Sequence, residues 1–171
     1  MAIIQTKRTD RLFGALILGC ILLIFWQIFI YEKTFIPLVI PLSVWLLTGI
    51  VITILSRGKF IYQPTPSPFL QLLFNIIVWG GLALFSFMWG NYHFCNKTTS
   101  VIHEKIVSTG RLSGRNGSCE QPYVVVIYKG REKQLMFDCD TPVENFKSVD
   151  LTISKGLFGF DILVRSTLKT D

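Results

Sequence analysis

Three long runs without a single charged side chain fill most of the first ninety residues, and they limit what this chain can become. Leu12 to Tyr31 is twenty residues, Phe35 to Leu55 twenty-one and Phe69 to Gly90 twenty-two, and none contains Asp, Glu, Lys, Arg or His. A hydrocarbon layer about 30 Å thick is crossed by roughly 20 helical residues at about 1.5 Å rise each. All three runs reach that length, and a chain of 171 residues is too small to bury three such helices in one soluble core. The sequence therefore predicts a membrane α region, three transmembrane helices, followed by a small all-β domain. The expected segments are a tail at 1–11, helices at 12–31, 35–55 and 69–90, a proline-containing loop at 56–68 and a β-rich domain at 91–171.

The net charge of +6 would suit nucleic acid if it were concentrated on a folded domain, but it is not. Lys7, Arg8, Arg11, Arg57 and Lys59 flank the apolar runs, whereas residues 91–171 carry eleven Lys/Arg against nine Asp/Glu. The surplus reads as a topological signal, and nucleic acid is not an expected partner. Basic short loops stay cytoplasmic. That places the N-terminus and the 56–68 loop inside, and the β domain outside the inner or plasma membrane. Three of the four cysteines, Cys95, Cys119 and Cys139, fall in the domain assigned to the outside, where disulfides persist. Ile17-Leu18-Gly19-Cys20 resembles a lipobox, but the apolar run continues past it, which fits an uncleaved anchor better.

Within the apolar runs polarity is sparse. Gln71, Asn75 and Ser86 fall on one face of the third helix at regular helical spacing. They are candidates for helix–helix packing or for docking a partner subunit. Gly80 and Gly81 would permit close approach on another face. Pro37 and Pro41 sit where the second helix opens, and Pro41 either belongs to its first turn or kinks it. Pro64, Pro66 and Pro68 make the following loop a stiff connector. The absence of intramembrane charge argues against a pump or proton relay.

From Ser100 onward the period changes from helical to two. Strands are expected at Ile102–Thr109, Tyr123–Tyr128, Gln134–Phe137, Val149–Ser154 and Phe158–Val164, forming a five-stranded antiparallel meander as a sheet, open barrel or sandwich. Asn116-Gly117 reads as a turn. Lys129-Gly130 reads as a two-residue hairpin turn, pairing residue 128 with 131. Cys119 and Cys139 are then one residue out of register at the open end. A bulge or longer loop would bring them together in a disulfide.

No motif for catalysis is present: no G-x-S-x-G, no H-E-x-x-H and no phosphate-binding glycine loop. His93, Cys95 and His103 lack the paired spacing of a metal site, and Asp138, Asp140 and Glu144 read as a solvated acidic loop. No cofactor and no metal are expected. The favoured function is non-enzymatic: an accessory or assembly subunit of a larger membrane or envelope complex, with lipid and a membrane-protein partner around it. The alternative is a self-contained binding or protective protein, a ligand sensor or toxin-neutralising factor. A homo-oligomeric channel ranks lower.

Overall fold

The computed structural model describes residues 2–56, 67–113 and 119–170, with residues 2–13 described by backbone alone. Arg57, Lys59, Pro64, Pro66 and the Asn116-Gly117 turn lie outside these residues. Two compact units are present, one comprising Met1–Cys95 with Gly156–Asp161, the other Asn96–Lys155 with Ile162–Asp171.

The first unit is helical. Helix α1 spans Ala2–Glu32, so helix also runs through the segment expected to be a tail. It passes unbroken through Cys20, which is buried with its thiol 3.9 Å from the Val78 carbonyl. Helix α2 spans Val39–Leu55, only 17 residues, instead of the expected 35–55. The prolines explain the late start. Pro41 has no N–H to give, so it fits only the first turn, where no partner is required. The first α-helical bond comes from Leu42 N–H to Leu38 O, at 3.1 Å, and Pro41 imposes no kink on a preceding turn. The third helix runs over Pro68–His93, and its start is set by local chemistry. Ser67 caps it by accepting the Leu70 N–H at 3.3 Å, with Pro68 in the first position.

That third helix is not uniform. It consists of α3 (Pro68–Asn75), a π-helical turn (Ile76–Gly80) and α4 (Gly81–His93). The π turn holds one more residue than an α turn, so everything after it is rotated by about 100° relative to a regular helix. The turn lies against α2 at very short range. A Cβ on Gly49 would sit 2.6 Å from Ile76 Cα, and one on Gly80 would collide with the Trp45 carbonyl. The Trp45 indole N–H donates to the Ile76 carbonyl at 2.8 Å, and Gly81 N–H donates to the same oxygen. Gly81 faces Ile24 of α1, so the two glycines serve different helices.

The second unit is a five-stranded antiparallel sheet: β1 Thr99–Leu112, β2 Gln121–Tyr128, β3 Arg131–Met136, β4 Ser148–Lys155 and β5 Asp161–Lys169. Its order, β3-β2-β1-β4-β5, replaces the expected meander. β1, β2 and β3 are successive neighbours, but the chain then returns through residues 137–147 to the other edge of β1, a Greek key. β1 can serve both sides because it is long and bent. Residues 99–105 pair with β4 and 106–112 with β2, and the register shifts between Ile106 and Ser108. An extra residue there bends a strand. Val124, Val126, Val149, Leu151 and Ile153 form the buried face, joined by Val143 from a short 3-10 turn in the connection.

The last expected strand starts too early. Phe158 and Phe160 belong to the β4–β5 turn, which groups with the helices. There Phe87 stacks on Phe158 at 4.9 Å and meets Phe160 edge-on at 6.1 Å. Asn91 Oδ1 accepts the Phe158 N–H at 3.1 Å. Ring contacts within this turn, in which Phe158 stays exposed and Phe160 half-buried, produced the apparent period of two without a strand.

Gly49→Ala should destabilise the helical unit by about 1–3 kcal/mol through overpacking, whereas Gly19→Ala, with nothing within 4 Å, should not. Thermal unfolding in mild detergent, followed by tryptophan fluorescence, separates the two. Equal midpoints would show that the α2 contact is looser than described.

Candidate functional site: an amide in an apolar pocket

The three residues expected to share a face of the third helix are separated by the π turn. Asn75 is buried and donates through Nδ2 to Thr53 Oγ1 at 3.0 Å. Gln71 donates through Nε2 to Ser56 Oγ at 3.3 Å. Both bonds reach α2 or the residue that ends it. Ser86 lies beyond the inserted residue, is exposed, and donates back to the Leu82 carbonyl at 2.9 Å. The polar stripe is thus two intramolecular bonds and one locally satisfied hydroxyl.

A different amide stands out. Gln27 of α1 is 5 % exposed, and neither its Nε2 nor its Oε1 has a hydrogen-bond partner among the described residues. It lines a pocket of about 250 Å³ between α1, α2 and α4. Ile24, Gln27, Ile28 and Tyr31 come from α1, Pro41, Leu42 and Trp45 from α2, Leu38 from the residue capping α2, and Leu84 and Met88 from α4. The α1 residues follow the i, i+3, i+4, i+7 spacing that puts side chains on one helical face. Leaving an amide unpaired in a hydrocarbon-like setting costs about 4–8 kcal/mol. The sequence did carry a signal: Gln27 is a lone amide in an uncharged run, between Trp26 and Ile28. Attention to the third helix alone passes over it.

The sheet has its own polar contacts. The disulfide Cys119–Cys139 is present, with Cα atoms 5.9 Å apart. The hairpin register is the expected one, Tyr128 opposite Arg131 through Tyr123 opposite Met136. Lys129 and Gly130 both have positive φ, 49° and 76°, as a type I′ turn requires. No bulge brings the cysteines together. The ladder instead ends at Phe137 N–H to Pro122 O, and Cys139 lies in a turn closed by Thr141 N–H to Asp138 O. Both cysteines lie past the last pairing and are free of its register.

Glu144 of the acidic loop pairs with Arg111 Nε at 2.9 Å, which holds the carboxyl below and the guanidinium above their ordinary ranges. Asp150 bridges His103 Nδ1 at 2.7 Å and Lys169 Nζ at 2.9 Å. The His103 hydrogen bond, then the Lys169 one, hold it below the usual carboxylate range. His93 ends α4 with its ring 4.6 Å from that of Trp89. Among the described residues no cluster of three His, Cys, Asp or Glu is arranged to hold a metal. No protein-family model, curated protein or solved structure matches this chain.

Replacing Cys119 and Cys139 by serine should lower the stability of the sheet by about 3 kcal/mol, since a loop of roughly 20 residues is released in the unfolded chain. Urea unfolding followed by sheet circular dichroism reads this. The Asp150 contacts are made by the charged carboxylate, so their stabilisation is full above its unfolded pKa and is lost as pH falls through its lowered folded pKa. Asp150→Asn should therefore unfold earlier than the parent near neutral pH and together with it in strong acid. A gap that persists unchanged in acid would assign the effect to packing.

Proposed function

We propose that this chain is an integral membrane protein with three membrane-spanning helices and an external β domain, and that it works by binding, without catalysis. The observation that carries this is the outward surface of the helices. Gly14–Glu32 and Pro68–His93 are long and apolar enough to cross a membrane, yet only 17 % and 33 % of their most apolar windows are buried. Leu18, Phe29, Leu47, Val51, Phe69 and Trp79 all point outward. In water such a continuous apolar surface is a liability; in lipid it is the expected exterior. Helix α2, with 17 residues, covers about 25 Å, at the short end of what spans a bilayer.

The orientation rests on Lys7, Arg8 and Arg11 before the first span, and the Cys119–Cys139 disulfide supports an oxidising compartment for the sheet. Gln71 and Asn75 are committed to intramolecular bonds, while none of the described residues fills the Gln27 pocket. This balance favours self-contained binding. The accessory-subunit reading keeps one supporting observation: Val101, Val107, Ile127 and Met136 are exposed on the sheet, a surface suited to a protein partner outside the membrane.

Alkaline carbonate extraction of native membranes tests the assignment. The protein should stay in the pellet and leave only with detergent. Release at high pH without detergent would remove the membrane reading.

A further inference from the structure

The Gln27 pocket has the composition of a ligand site: apolar and aromatic walls with few polar groups among them. Three lining side chains carry polar atoms, Gln27, Tyr31 and Trp45. The Trp45 N–H is already used on the Ile76 carbonyl. A single water would meet the two Gln27 atoms but leave the apolar walls of a pocket of about 250 Å³ without contacts. Among the described residues no charged side chain lines the pocket, so a charged headgroup entering it would lose its hydration without compensation.

Among the described residues both halves of the Gln27 amide are unpaired, and this narrows the chemistry further. Nε2 needs an acceptor and Oε1 needs a donor. An ester, ketone or quinone offers only acceptors and would leave Oε1 unsatisfied. A hydroxyl or a secondary amide offers both. The pocket is also reachable from the side: Ile28, Leu38 and Leu42 line it and are themselves exposed on the apolar exterior.

We infer that this pocket binds a neutral lipid-phase amphiphile whose polar end is a hydroxyl or secondary amide. That end pairs with Gln27 when the amide, whose two polar atoms are shielded at rest, turns into the pocket, and the hydrocarbon body lies along Ile24, Ile28, Leu42, Leu84 and Met88. Entry is lateral, from the lipid, past Leu38. The inference rests on the membrane reading of the helices. It favours a small amphiphile over a partner helix because Gln27 is almost fully buried, and a flat helical surface would cover the opening without reaching the amide.

The test uses the full chain reconstituted in phosphatidylcholine vesicles. In one variant Trp26, Trp79 and Trp89 are replaced by phenylalanine, leaving Trp45 in the pocket wall as the sole tryptophan. A second variant keeps the outward Trp79 as well. The probes are 9,10-dibromooctadecan-1-ol, its O-methyl ether and dibrominated phosphatidylcholine. The alcohol should quench Trp45 saturably, at a membrane concentration roughly tenfold below that needed for the ether, which cannot donate to Oε1. Gln27→Leu should abolish that preference. Leu42→Phe, at the exposed rim of the pocket, should narrow the opening and weaken saturable quenching by the alcohol. It leaves Gln27 untouched, so a folding defect of Gln27→Leu does not decide the matter.

Equal quenching by alcohol and ether in folded protein would overturn the inference, as would quenching that never saturates. A stoichiometric membrane protein that co-purifies, and whose removal alone opens Trp45 to all probes equally, would assign the pocket to a partner and overturn it too. Brominated phosphatidylcholine should quench the emission that Trp79 adds to the second variant. Failure of that control would overturn the membrane reading itself, an outcome distinct from failure at the pocket.

Discussion

The Trp45 indole donates its N–H to the Ile76 carbonyl across a crossing so tight that only glycine fits at positions 49 and 80. Much of the helical unit follows from that contact. A π turn gives the third helix one extra residue, and the Ile76 carbonyl in it accepts two N–H groups. The inserted residue turns Gln71 and Asn75 toward α2 while carrying Ser86 off their face. It also leaves Gly80 against α2 and Gly81 against α1, so adjacent small residues serve two neighbours. Trp45 contributes to the pocket wall as well, which ties the tight crossing to the candidate site.

Polar groups in the helices obey the accounting expected of a low-dielectric interior. Thr48 and Thr53 donate to carbonyls one turn back, at 2.7 and 2.8 Å, and Asn75 and Gln71 bond hydroxyls on or just beyond α2. Against that background two buried amides stand out among the described residues: Asn91 lacks a partner for Nδ2 alone, its Oδ1 accepting the Phe158 N–H, whereas Gln27 lacks one for both atoms. Both atoms of the Gln27 amide are shielded, and its side chain lines a pocket of about 250 Å³.

Much of this was readable from the residues. Absence of charge marked the helical runs, period two marked most strands, and Lys129-Gly130 set the hairpin register to the residue. What failed has physical causes. Helix α2 is shorter than its apolar run because Pro41 can occupy only a first turn. The Greek key escaped because pairing of successive strands is the default, although the eleven residues between β3 and β4 are long for a hairpin and were the available warning. Phe158 and Phe160 mimicked a strand because aromatic packing in a turn has the same spacing. The π turn leaves no mark in hydropathy, so the stripe of Gln71, Asn75 and Ser86 looked continuous. Gln27 was visible as a residue, but its lack of a partner is a property of three helices together.

Site-directed spin labelling in reconstituted bilayers tests most directly whether these helices live in lipid. Nitroxides placed singly at Leu18, Leu47 and Trp79, all outward-facing, are compared for relaxation by oxygen and by a water-soluble nickel chelate. Helices that span the membrane predict strong relaxation by oxygen and little by nickel at all three positions. Strong relaxation by nickel and weak relaxation by oxygen would place these faces in water and contradict the membrane assignment.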